Sequence, residues 1–145
     1  MVKTLPKDIN DSIINLRNIA YEKKLTGDYF AAEQNYLLAW GSLPSPEFDW
    51  DTSQILLERI SEFYLEWKKY TEAEKWALDI FKSNPASNYH RPYLILGKIY
   101  LESRREDLVA QNLIKAFEMG GRRGFSGEDP KYLKFVQDQM KSVKK

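Results

Sequence analysis

The stretch Ser87 to Gly121, SNYHRPYLILGKIYLESRREDLVAQNLIKAFEMGG, decides the fold. Tyr93, Leu96, Gly97, Tyr100 and Leu101 recur at steps of three and four, the spacing of one helical face. Ser103 to Glu106 is S-x-x-E, the pattern of a capping box, in which side chains satisfy the free N–H groups of a new helix. Leu108, Val109, Leu113, Ala116 and Phe117 form a second stripe, interrupted by Asn112. Gly120 and Gly121 end it, because glycine accepts the left-handed backbone favoured at a helix C-terminus. Gly97 inside a helix costs about 1 kcal/mol against alanine, so its expected use is close approach of a neighbouring helix.

The same pattern recurs upstream. In Gln54 to Pro85, Ser61 matches Gly97, Tyr64 matches Tyr100 and Ala73 matches Val109, with Thr71 to Glu74 as a second capping box. In Ile13 to Pro44, Ala20 takes the small-residue place, Gly27-Asp28-Tyr29 makes the turn, and Ala32, Tyr36 and Ala39 follow. The units start about 41 and 36 residues apart, close to the roughly 34-residue period of a paired-helix repeat.

The chain therefore resembles the tetratricopeptide repeat family from about Asp11 to Gly121, in three degenerate units. Lys23 departs from the pattern where an aromatic is expected, and Val109 where alanine is expected. The resemblance implies an all-α fold: three helix pairs (about 11–46, 54–86 and 88–121) in a short right-handed superhelix. Asp129-Pro130 then opens a seventh helix (about 129–142), since proline is tolerated in a first helical turn. Its stripe of Tyr132, Leu133, Phe135, Val136 and Met140 is expected to cover the open end of the last repeat. Lys131, Lys134, Lys141, Lys144 and Lys145 are expected on its outer face. Met1 to Leu5 reads as a frayed lead-in.

At 145 residues the chain is one domain, with 43% hydrophobic and 30% charged residues. A net charge of +1 gives no global field toward nucleic acid or membrane. With no cysteine there is no disulfide, thiol catalysis or cysteine metal site. No apolar run approaches the roughly 20 residues of a membrane span, and the N-terminus has no signal-peptide core. The expectation is a cytoplasmic protein without cofactor or metal. His90, the single histidine, cannot build a usual zinc site. Gly120 to Gly127 is rich in glycine and arginine but lacks the G-K-[ST] end of a P-loop, so a helix stop and a loop docked by Phe125 are expected. Arg122 and Arg123 remain as a charge-only anion site. No nucleophile arrangement is legible, and no enzymatic activity is expected.

In tetratricopeptide proteins the first helix of each pair lines a groove. The resemblance thus implies a partner-binding surface containing Arg17 and Tyr21, then Glu58, Glu62 and Glu66, then Lys98 and Glu102. Trp50, in the irregular loop from Gly41 to Ser53, either joins that surface or folds down with Phe48 onto neighbouring helices. Glu58, Glu62 and Glu66 recur every four residues and share one helix face. From Glu47 to Glu66 six acids face the single base Arg59. That excess suggests an acidic groove for a basic protein partner. It also argues against the lysine- and asparagine-lined clamp with which co-chaperones of the family hold a C-terminal carboxylate. The stretch GRRGFSGEDPKYLKF is similar to the end of small bacterial repeat proteins that act as immunity proteins for secreted toxins. The expected function is a non-catalytic protein-binding module. Its specific form would be an immunity protein against a basic toxin domain such as a nuclease, with no direct contact to nucleic acid or membrane. The alternatives are a chaperone or adaptor, or a structural subunit.

Overall fold

A computed structural model describes residues 2–143. Seven α-helices follow one another: α1 (Lys7–Leu25), α2 (Tyr29–Gly41), α3 (Asp51–Glu66), α4 (Tyr70–Asp79), α5 (Arg91–Glu102), α6 (Glu106–Gly120) and α7 (Pro130–Val143). Helices α1 and α2, α3 and α4, and α5 and α6 pack as successive pairs, and α7 packs on α6. Ile13, Leu56, Leu57, Ile60, Phe63, Leu94, Ile95, Ile99 and Leu113 fill one continuous core.

The three pairs share a turn. Each has three residues, and the middle one, Gly27, Lys68 or Arg104, has a positive φ of 84°, 62° or 62°. In each, the N–H after that residue donates to a carbonyl five residues back. Asp28 bonds Lys23, Lys69 bonds Tyr64 and Arg105 bonds Tyr100, all at 2.9 Å. The left-handed residue lets the last carbonyls of the first helix find donors. This geometry displaces both expected capping boxes. Ser103 closes α5, and its hydroxyl donates back to the Tyr100 carbonyl. Thr71 lies inside α4, and neither Lys69 nor Arg105 makes a side-chain cap. Of the three turns, only that at Asp28 supplies a side-chain cap: Asp28 accepts from the Ala31 N–H at 3.1 Å, as Asp129 does before α7 from the Lys131 N–H at 3.0 Å.

The small residues lie where the helices meet. Ala20, Ser61, Ala32, Ala73 and Val109 are fully buried. A Cβ on Gly97 would stand 2.2 Å from the Leu113 side chain and 3.2 Å from its backbone nitrogen, the close approach expected of that glycine.

Helix α3 stops at Glu66, because the turn needs Trp67 to Lys69. Helix α4 gives way at Ile80 to a 3-10 turn through Ser83, before Asn84 turns left-handed at φ 54°. The lead-in is not frayed at residues 2–5, while Met1 lies outside the described residues. Trp50 is extended, and Lys3 pairs beside it: its N–H donates to the Asp49 carbonyl, and the Asp51 N–H donates to its carbonyl. Leu5 is buried in the core. Lys144 and Lys145 of the expected basic face also lie outside the described residues. No described helix is long and apolar enough to cross a membrane.

Candidate functional site

Helices α1, α3 and α5 contribute to a row of adjoining clefts. A cleft of about 200 Å³ lies among Arg17, Asn18, Tyr21 and Arg59. One of about 140 Å³ follows among Tyr21, Lys24, Tyr36, Arg59, Glu62 and Glu66. The largest, about 450 Å³, is bounded by Glu62, Leu65, Glu66, Lys68, Lys98 and Glu102, and by Glu128 to Tyr132 at the start of α7. The row unites Arg17, Tyr21, Glu62, Glu66, Lys98 and Glu102 of the expected surface. It leaves out Glu58 and Trp50.

The acidic stripe is not an open acidic face. Glu58 is 6% exposed. Its carboxylate accepts from Arg91 Nε and from the Tyr89 hydroxyl, both at 2.7 Å. Glu62 accepts from Arg91 Nη2 at 2.7 Å and from Lys98 Nζ at 3.3 Å. Glu66 pairs with Lys24 of α1 at 2.8 Å. Lys98 also donates to Glu128 at 2.6 Å. Each glutamate of the stripe therefore has a cation from another helix. Burial alone would lower the Arg91 pKa, but Glu62 and Glu58 outweigh it and raise it.

Trp50 is held by its own loop. Its indole Nε1–H donates to the Pro44 carbonyl at 2.7 Å, and its ring packs half-buried against the core. Phe48 packs tilted against Trp40, ring centres 5.3 Å apart. Both aromatics fold down, so Trp50 offers no anchor to the clefts. Lys131 is exposed, as expected, and also reaches α5. It pairs with Glu102, which also accepts from the Tyr132 hydroxyl at 2.9 Å. Burial would raise the Glu102 carboxyl, but these two donors hold it below its ordinary value.

His90 serves packing. Its Nε2 lies 3.0 Å from the Gly124 carbonyl, and a Cβ on Gly120 or Gly124 would meet the ring at 2.8 or 2.9 Å. Phe125 is buried beside Phe117, as expected for a docked loop. Arg122 and Arg123 are exposed. Among the described residues no group of three or more His, Asp and Glu is placed to hold a metal ion.

Sequence reasoning missed Arg91 and Lys98 as partners of the stripe, Glu128 as a second acceptor for Lys98, and Glu33 and Glu74 as partners of Tyr64 and Tyr100. The Tyr64 hydroxyl donates to Glu33 at 2.8 Å, and the Tyr100 hydroxyl donates to Glu74 at 2.6 Å. Both glutamates are fifth in the second helix of the preceding pair. Burial, reinforced by Glu74, pushes the Tyr100 phenol up to about 12. A signal existed: these contacts span 26 to 36 residues, about one repeat.

Comparison with family models, curated proteins and solved structures gave no match.

Proposed function

We propose that this chain is a tetratricopeptide-like array that works as a non-catalytic protein-binding module, its partner seated across α1, α3 and α5. The repeated turn carries the reading. Three helix pairs with the same positive-φ residue and the same 2.9 Å hydrogen bond are copies of one unit. Stacked copies set their first helices side by side, and in a short right-handed superhelix those helices line the hollow. The clefts between them support this placement. They are open, lined by charged side chains and one half-exposed tyrosine, Tyr21.

The specific form we propose is an immunity protein that occupies a secreted toxin in the cytoplasm. The similarity of GRRGFSGEDPKYLKF to the ends of such proteins supports it, by analogy of sequence. A basic partner surface fits the α5–α7 end, where Glu62, Glu66, Glu102, Glu128 and Asp129 outnumber the three lysines that border the largest cleft. The test is affinity capture from the native host with the full chain and a Tyr21→Ser/Glu66→Gln variant. Both positions are exposed, and glutamine still offers Lys24 an acceptor. The expected result is one protein retained by the wild type and lost by the variant, whose toxicity in cells the wild type relieves. Equal retention by both removes this face as the binding surface.

A second reading, a subunit of a larger assembly, draws on the outer face of α2. Phe30 and Leu38 there are 72% and 60% exposed. Light scattering of the purified chain separates the two, since a monomer at high concentration speaks against self-assembly through that face.

A further inference from the structure

Among the described residues, the lysines that line the second and third clefts beside α1 and α5 have carboxylate partners: Lys24 has Glu66, and Lys98 has Glu62 and Glu128. Arg17 of α1, half-buried in the first cleft, has none. The exposed Arg59 of α3 lines the same cleft, and no carboxylate of the described residues lies within ion-pair distance of either guanidinium. Two cations thus share one cleft without a paired carboxylate. Burial, and then the charge of Arg59, lower the Arg17 pKa. The Tyr36 phenol lines the adjoining cleft, within the fields of Lys24, Arg59, Glu66 and Arg17. Asn18 adds an amide on the rim, and the 46%-exposed ring of Tyr21 forms a wall. The cleft holds about 200 Å³, room for a carboxylate and its stem.

We propose that Arg17 and Arg59, with Asn18 and Tyr21, form a subsite for a carboxylate side chain on the protein partner. Guanidinium forks match carboxylate geometry and bind it in charge-assisted pairs. The inference rests on the groove reading and sharpens it, because the groove becomes electrically divided. The α1–α3 end takes an anion. The far end, where Glu62, Glu66, Glu102, Glu128 and Asp129 outnumber Lys68, Lys98 and Lys131 around the 450 Å³ cleft, takes a cation. A chain of uniform charge, such as a nucleic acid, would meet repulsion along that second half. A protein surface carrying an acid and a base some distance apart meets complementary charge at both ends.

The test uses the full chain labelled on arginine nitrogen, titrated with glutarate at constant ionic strength. The expected result is a saturable shift of the Arg17 and Arg59 Nε–H signals, with Arg122 and Arg123 unmoved. An Arg17→Gln/Arg59→Gln double variant should keep the circular dichroism of the wild type and lose at least tenfold in glutarate affinity. Unsaturable shifts spread over all the arginines would overturn the subsite. Tighter saturable binding of a short oligothymidylate than of glutarate would also overturn it, in favour of a phosphate backbone. Once a partner is captured, the double variant should bind it at least tenfold more weakly. Undiminished binding, together with loss in the Tyr21→Ser/Glu66→Gln variant, would remove the subsite while leaving the groove in place.

Discussion

Gly97 shows how a single residue sets a packing distance. Alanine there gains about 1 kcal/mol of helix propensity. Its Cβ would overlap Leu113 and press on that residue's backbone nitrogen at 3.2 Å, and overpacking a core costs typically 1–3 kcal/mol. Gly97→Ala should therefore lower the melting temperature. A raised one would mean that α6 can retreat without loss. Four tyrosines hydrogen-bonded to glutamates make a second prediction. Burial, then a glutamate acceptor, raises Tyr89 and Tyr100 to about 12 and lifts Tyr64 and Tyr132 as well. A raised folded pKa gives stability that is complete below the ordinary phenol value of about 10 and fades as pH climbs through the folded value. Absorbance titration should show a group of phenols ionising only near pH 12, together with loss of helical signal. Ionisation of every phenol in one step near pH 10, with the helices intact, would contradict these hydrogen bonds.

Among the elements, α3 carries the most consequential revision. Its glutamate stripe read as a face awaiting a partner, because four-residue spacing is visible along one helix. Its counter-charges are not visible there. Arg91 lies 33 residues from Glu58, and Lys98 lies 36 from Glu62. The helices themselves were legible, since Ile13, Ile60, Phe63 and Ile99 follow the helical period and are all buried. The capping boxes misled, because the turns leave Ser103 at the end of α5 and Thr71 inside α4, so neither stands at the N-cap of the next helix. Converting Glu58, Glu62 and Glu66 together to lysine should then unfold the chain, not merely alter its surface. Breaking a buried pair costs roughly 3–5 kcal/mol, and the change would strand Arg91 and Lys98 among new cations. A triple variant with wild-type helicity and melting would show the network to be dispensable. Helix α7 is also an integral element. Ending the chain at Gly121 removes buried Phe125, Tyr132 and Val136, each worth roughly 1.5–3 kcal/mol when fully buried. It also takes Glu128 from Lys98. Aggregation or a clearly lower melting temperature is expected, and an unchanged melting curve would make α7 a free tail.

For the whole molecule, three successive helix pairs leave two kinds of surface. The first helices share charged clefts with Tyr21 between them, and the second helices carry scattered exposed apolar groups such as Phe30, Leu38 and Leu78. The proposed partner belongs on the first kind, where Arg17 and Arg59, without a carboxylate partner among the described residues, and the acids near α7 supply charge of both signs. Hydroxyl-radical footprinting of the chain bound to its captured partner tests that placement most directly. Protection of Tyr21 and Leu65, with Phe30 and Leu38 as reactive as in the free chain, is the predicted result. Protection of Phe30 and Leu38 with Tyr21 unchanged would contradict it.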